Sequence, residues 1–440
     1  MAAGARQTLT ALFAAAVHAA HPDGCLGAHL PPVPKHGRLI ITGAGKAGAA
    51  MAAAAERHYR GRGELAAITG ALTAPHGYAE TLGDRAPTVL EIVAGRHPTP
   101  DDGSVAAATR ALALSRSATR NDLVLVLLSG GASALWAAPV DGVSLADKTA
   151  LTRGLLKCGA DIHEMNTVRR HLSRIKGGRL VQAANDAAVL TLAISDVPGD
   201  DPATIGSGPT VPDPTTLADA RAVLARRKPR MDALGLPIPP SILNALDDAR
   251  NETAKPGDPA FARSEYRIIA TPKAALQAAA DAARAAGYDV VNLGDTITGE
   301  ARDVASAHAK LALDAMASGR RVAILSGGEL EVTVRSRGGR GGRSQEYALA
   351  LAVALGGKRG ISALAADTDG IDGGEGVTAD PAGAVIHDMT LSRASQRHLD
   401  AKKFLDENNA TPFFAALEDL IVTGPTHTNV NDFRAILIDP

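Results

Sequence analysis

The residues able to do chemistry are densest between Asn166 and Thr210. The stretch NTVRRHLSRIKGGRL packs Arg169, Arg170, His171, Arg174, Lys176 and Arg179 around a Gly-Gly pair, and the apolar run AVLTLAIS then leads to Asp196, Asp200 and Asp201. Cations that can hold an anionic substrate are thus followed by carboxylates that can hold a metal or take a proton. Either half alone reads equally as a solvated basic helix or a polar loop. Together, beside a Gly-rich turn, they point to phosphate or carboxylate chemistry. His163 and His171 have no partner at metal-ligand spacing and read as capping or surface residues.

Five further stretches carry similar chemistry. In RLIITGAGKAGAAMAAAAE a β-like run meets a glycine turn that opens an Ala-rich helix, a geometry that aims backbone N–H groups at an anion. Gly43, Gly45 and Gly48 satisfy G-x-G-x-x-G, but Lys46 inside the turn reads better as a phosphate contact, and no acidic residue closes the next strand as a dinucleotide site requires. LVLVLLSGGASAL ends an apolar strand in Ser129, Gly130, Gly131, Ala132 and Ser133. Arg337, Arg340 and Arg343 stand among the glycines 338, 339, 341 and 342 before a helix, where guanidinium groups suit bidentate phosphate recognition. ISALAADTDGIDGG supplies Asp367, Asp369 and Asp372 at a strand end; Ile371 and Thr378 exclude a calcium loop of the EF-hand kind. TGPTHTNVND places Thr426, Thr428, Asn429, Asn431 and Asp432 in a loop between two strands.

The elements that must position these residues alternate. Strand, glycine turn and helix recur at 39–60 and 123–135, which predicts a doubly wound, mainly parallel sheet with ligands beyond its carboxyl strand ends. Residues 146–166 read as one helix, and Leu9, Leu12, Phe13 and Val17 suit one face of an amphipathic first helix instead of a secretory leader. From Arg221 to Tyr266 prolines and charge clusters read as an inter-domain connection. The alternation in ELEVTVRS predicts a hairpin, hence a mixed sheet near the carboxyl end.

Composition narrows the function. At 440 residues the chain exceeds one ordinary core, so two or three domains are expected. A formal charge of -1 and 3% aromatic residues argue against nucleic-acid binding, which draws on basic surfaces and stacking rings. Two cysteines, Cys25 and Cys158, make no disulfide or zinc framework and fit a cytoplasmic setting. No stretch has the roughly 20 continuous apolar residues that span a bilayer, so a membrane is not expected as partner. Phosphoryl transfer needs cations, backbone donors and a carboxylate that orients the attacking hydroxyl. Lys46 and Arg343, the turns at 43–48, 130–131 and 338–342, and Asp196, Asp200, Asp201, Asp367 and Asp369 supply each part.

In this order, GAGKAGAAMAAAAE, HPTPDDGS, LLSGGASALW, NTVRRHLSRIKGGRL, SDVPGDDPATIGSGPT, LSGGE, GGRGGRSQE, ADTDGIDG and TGPTHTNVND resemble the glycerate 2-kinase family over nearly the whole chain. The resemblance implies two three-layer α/β/α domains, the first doubly wound and Rossmann-like, the second of MOFRL type, with the active site in the cleft between them. The boundaries expected are 1–245 for the kinase domain and 320–440 for the MOFRL domain, with 246–319 connecting them. It implies transfer of the γ-phosphate of ATP, with Mg²⁺, to D-glycerate, giving 2-phosphoglycerate, with Lys46 and Arg343 as catalytic cations. Asp196 is then assigned to the substrate hydroxyl, and Asp200, Asp201, Asp367 and Asp369 to the metal. Gly43, Gly45, Ser129, Gly130, Gly131, Ser133, Gly341 and Gly342 are assigned to phosphate, and Asn166, Arg169, Lys176, Asn429 and Asn431 to the acid. A small-molecule substrate is the expected partner, and a homo-oligomer is compatible with the sequence.

Three residues depart from the family pattern: Ala132 and His427 stand where glycine is expected, and Ser344 where asparagine is. Ala132 is expected to restrict its turn, Ser344 to cap a helix, and His427 to alter which acid fits. Two other functions remain open at this point: a hydroxypyruvate reductase using NAD(P)H, and a non-catalytic nucleotide- or sugar-acid-binding regulator.

Overall fold

The computed structural model describes residues 2–336 and 338–440, so Arg337 lies outside the described residues. Two compact units divide the chain: Leu26–Ile269, and Met1–Cys25 together with Ala270–Pro440.

The first unit is built on six strands: β1 (Leu39–Ala44), β2 (Ile68–Pro75), β3 (Glu91–Gly95), β4 (Leu123–Leu128), β5 (Ala188–Ile194) and β6 (Ser264–Ala270), in the order β3-β2-β1-β4-β5-β6. β1 to β5 run parallel. LVLVLL of β4 is almost wholly buried because helices cover both faces of such a sheet, leaving no solvent side for polar residues. The order reverses direction at β1 and β4, so the turns after these two strands flank the crevice where open α/β sheets bind ligands. Those are the GAGK and SGGAS turns.

Residues 221–266, expected as a connection, belong to this unit. Helices Leu217–Ala233 and Pro240–Asp247 bury Leu224 and Ile242 with Leu151, Leu155 and Val168, and β6 extends the sheet. The charged cluster RRKPR hid a helical spacing of Leu217, Ala220, Val223, Leu224 and Met231, all buried. The stretch expected as one helix is two, Leu145–Lys157 and Ile162–His171, broken at Gly159 with φ 76°. Asp161 and Glu164 form a capping box that starts the second helix, Asp161 accepting from the Glu164 N–H.

The second unit carries β7 (Asp289–Asn292), β8 (Gly299–Glu300), β9 (Val322–Ser326), β10 (Leu330–Glu331), β11 (Ile361–Asp367), β12 (Gly383–Ile386), β13 (Leu420–Ile421) and β14 (Asp432–Ile438). Six of them form a mixed sheet in the order β13-β12-β11-β14-β9-β7, in which only β7 and β9 pair in parallel. The mixed character arises from β11, β12, β13 and β14. ELEVTVRS makes no hairpin: β10 pairs with β8 in parallel and no strand continues it.

The first helix, Ala2–Ala20, was expected in the kinase domain but belongs to this second unit. Its apolar face, Leu9, Leu12, Phe13 and Ala16, is buried against helix Pro272–Ala285 and β14, and Phe13 meets Phe433 at 5.9 Å between ring centres. An amphipathic helix shows what it buries but not which sheet it covers, so its pattern could not assign it. No described helix is long and apolar enough to cross a membrane.

Candidate active site

The first unit holds a cavity of about 520 Å³ at the carboxyl ends of its strands. Ser129, Gly131 and Ser133 line it from the turn after β4, Asp196 from the end of β5, and Asn166 and Arg169 from helix Ile162–His171. Lys176, Gly206 and Ser207 complete the floor. The expected residues Ser129, Gly131, Ser133, Asn166, Arg169, Lys176 and Asp196 are therefore brought together.

Lys46 sits beside this lining. A Cβ on Gly131 would fall 3.4 Å from Lys46 Cγ and 3.1 Å from His97 Cδ2. The two glycine turns interlock: the Lys46 N–H donates to the Gly130 carbonyl at 2.8 Å, and the Ala47 N–H to Ser129 Oγ at 3.0 Å. Gly45, at φ 147°, lies so close to Ser129 that a Cβ would come within 1.9 Å of its hydroxyl. Gly43, expected at the phosphate, lies instead inside β1, where a Cβ would meet the Leu127 carbonyl at 2.1 Å. Its absence of side chain serves strand packing.

The basic cluster separates by role. Arg170 pairs with Asp213 at 3.0 Å, Arg174 donates to the Pro139 carbonyl, and Arg179 to the Ser173 and Glu252 carbonyls. His171, read as a surface or capping residue, is wholly buried between the Thr167 carbonyl and Glu252. Arg169 and Lys176 alone of the cluster line the cavity. Lys176 Nζ donates to the Ser133 carbonyl at 2.8 Å and the Gly206 carbonyl at 3.3 Å. Burial, then the charges of Lys148 and Arg169, push Lys176 well below the usual lysine range. Burial likewise lowers Arg169. Ser207 Oγ bridges Ser133 Oγ at 2.9 Å and Asn166 Oδ1 at 3.1 Å.

Three lining residues escaped sequence reasoning. His97 follows β3; burial and then the Lys46 charge lower it to about 3, so it is neutral near pH 7. Ser207 sits at φ 61° in a glycine-flanked turn. Lys148 occupies the inward stripe of helix Leu145–Lys157 with Leu151 and Leu155, and a lysine at an apolar position was the signal available for it.

In the second unit, Arg343 begins helix Arg343–Leu355 and is ringed by carboxylates: Nε to Asp432 at 2.7 Å, Nη1 to Glu329 at 2.9 Å, Nη2 to Asp367 at 2.8 Å. Burial alone would lower its pKa, but Asp367, Asp432 and Glu329 outweigh it and raise it, keeping the guanidinium charged. The amides of that helix's first turn are already taken, since Ser344 and Gln345 N–H donate to the two Asp372 oxygens at 3.0 and 2.8 Å. Gly342 is packed so closely on Asp372 that a Cβ would lie 2.2 Å from its carbonyl, while Gly341 lies against Asn408 and Ala410. Asn429 Oδ1 accepts from the Asn431 N–H, and the Asn431 carbonyl accepts from the Thr368 hydroxyl, so this loop is knitted to the one after β11.

The departures also resolve. Ala132 starts helix Ala132–Leu135 without a positive φ; Gly131, at φ 85°, takes the left-handed position instead. Ser344 does not cap: Gly342 is the N-cap, and the Ser344 hydroxyl is buried without a hydrogen-bond partner among the described residues. His427 sits at φ 58°, a conformation glycine adopts without strain.

The aspartates expected at the metal make no ready cage. Asp201 accepts from the Ala203 N–H and the Thr204 hydroxyl, Asp367 holds Arg343, and Asp369 accepts from the Ile371 N–H. Among the described residues no three His, Cys, Asp or Glu side chains are grouped to bind a metal ion. Asp200 differs, having one buried oxygen without a hydrogen-bond partner among the described residues.

Residues 8–247 match the family described as a domain of unknown function, DUF4147, and residues 322–432 match the MOFRL family. A protein of Agrobacterium vitis, provisionally named a hydroxypyruvate reductase, is 46% identical over 99% of this chain and 94% of its own. The D-glycerate 2-kinase of Thermotoga maritima is 34% identical over 96% of this chain and 95% of its own. A crystal structure titled glycerate kinase from Thermotoga maritima superposes with a TM-score of 0.83 at 32% identity, covering 99% of both chains. By its two domains and by these relatives, the chain belongs to the glycerate kinase family that joins a DUF4147 domain to a MOFRL domain.

Proposed function

We propose that this chain phosphorylates D-glycerate with ATP, releasing ADP and 2-phospho-D-glycerate. One observation carries the reading: Arg169 and Lys176 face a single cavity with no acid paired to either among the described residues, beside the Lys46 turn at the reversal point of the sheet. A small carboxylic acid supplies the missing negative charge there. Asn166, Ser133 and Ser207 offer hydrogen bonds to its hydroxyls.

In the step proposed, a hydroxyl oxygen of the acid bonds to the γ-phosphorus while the bond to the β–γ bridging oxygen breaks, and ADP leaves with that electron pair. The hydroxyl proton passes to Asp196, which lines the same cavity. Lys46 offsets charge on the transferring group, and Arg343 is the second catalytic cation. Magnesium fits the chain at Asp200, whose orphaned buried oxygen is the kind of donor a hard cation takes; it needs only one or two protein carboxylates alongside phosphate oxygens. When bound it would neutralise those phosphate oxygens.

The test is a coupled ADP-release assay with both glycerate enantiomers, the position of the product's phosphate being read by NMR. ADP release with D-glycerate and a phosphate on the second carbon is the expected result; a phosphate on the third carbon would correct the product, and no release would remove the function. The reductase reading is favoured by the name of the Agrobacterium vitis relative. NAD(P)H oxidation with hydroxypyruvate, absent ADP release, would establish it instead.

A further inference from the structure

We propose that Lys148 is a third anion-binding cation of this cavity and grips the substrate carboxylate together with Arg169 and Lys176; only the identity of the acid rests on the kinase reading above. Lys148 is carried on helix Leu145–Lys157, is 8% exposed, and lines the cavity. Its ammonium makes one hydrogen bond, to the Leu172 carbonyl at 3.0 Å, although it has three donors. That carbonyl ends helix Ile162–His171, where the helix dipole offers a partial negative charge but no full one.

No acid pairs with this group among the described residues. The charges that act on it come from Arg169 on helix Ile162–His171, Lys176 in the loop that follows, and Arg179 on helix Arg179–Ala183, and all are positive. Asp196 is the one acid among the described lining residues. Among the described residues the Arg169 side chain makes no hydrogen bond or ion pair, and the Lys176 ammonium is met only by carbonyls. A tie between two helices could be made by a neutral side chain, without the cost of burying a third like charge. Three cations around one cavity are stabilised together when an anion occupies it.

Burial, with Arg169 and Arg179, lowers Lys148 to about 7, so the ligand-free group titrates near neutrality. An anion favours the charged form and is therefore held less tightly as pH rises past that value.

Two variants test the proposal by calorimetric titration of D-glycerate and of inorganic phosphate between pH 6 and 9. Lys148→Gln keeps a donor for the Leu172 carbonyl without the charge, and Lys148→Met removes both. Loss of one charge-assisted hydrogen bond should weaken binding roughly 10- to 100-fold in either variant at pH 6.5. It should also flatten the decline in affinity that the wild-type protein shows above pH 7. Lys148→Gln binding both probes as tightly as the wild type overturns the proposal, as does a wild-type protein that binds neither. If Lys148→Met fails to fold, the glutamine variant decides alone. A wild-type protein that binds D-glycerate yet releases no ADP removes the kinase reading and leaves Lys148 to the binding result.

Discussion

The two glycine-bordered cation sites solve charge in opposite ways. Around the cavity of the first unit, Lys176 and Lys148 are buried against carbonyls, Arg169 has no described partner, and burial lowers all three. In the second unit, Arg343 is held by Asp432, Glu329 and Asp367 and is raised by them. Both regions are basic turns in the sequence, yet the first sets three cations around a cavity lined by one described acid, Asp196, while the second rings one cation with three acids. The lesson is that a cation's partners decide whether it awaits a ligand or is already fixed in place.

Removing a cation from each region should therefore have different consequences. Arg343→Met takes this guanidinium from Asp367 and from one oxygen of Asp432, whose other oxygen keeps Arg434 at 3.1 Å, and breaking a buried pair costs about 3–5 kcal/mol. A markedly lowered melting temperature is expected beside lost turnover; an unchanged one would show that the carboxylate ring contributes nothing to the fold. Lys46→Met should lower ADP release with D-glycerate roughly 10²- to 10³-fold. Near-normal turnover would take Lys46 out of the mechanism and undo its half of the contrast.

Gly45→Ala sharpens the first site from the backbone side. Its Cβ would collide with Ser129 at a φ of 147°, and a loss of about 1–3 kcal/mol by denaturant unfolding is expected. Unaltered stability would mean the interlocked turns have room to shift. A last test concerns acid. His97 is lowered to about 3 in the folded chain while the unfolded group titrates near 6.5, so between those values the unfolded state binds more protons. Its stabilising contribution is complete above pH 6.5 and is lost as pH falls toward 3. His97→Gln should flatten the melting temperature across that window, and an identical slope in both proteins would place the titration elsewhere.

Much of this was legible in local pattern. The buried run LVLVLL, the glycine turn after β1 and the acidic ends of β5 and β11 follow from residue type and spacing, because strands and turns are short-range. Where Lys148 points was legible in principle, since lysine interrupts an apolar stripe. What could not be read was which of several equal candidates meets which partner. Arg169 and Arg170 are neighbours in sequence, but helical geometry sends one to the cavity and the other to Asp213. Asp201 and Asp200 look alike, and only the fold makes one a turn cap and leaves the other with an orphaned oxygen.

The sequence by itself determined the strand–turn–helix rhythm and the chemical classes in each turn; the mixed sheet near the carboxyl end was expected from a hairpin that does not form, and β11 to β14 make it instead. Tertiary structure alone decided that the first helix packs against β14 and that residues 221–266 complete the first unit. It alone separated a cation-rich cavity with a single described acid from an arginine already ringed by three. The reason is physical: spacing along a chain fixes what a residue can do over one or two turns. The energy of a buried charge depends on groups that arrive from hundreds of residues away.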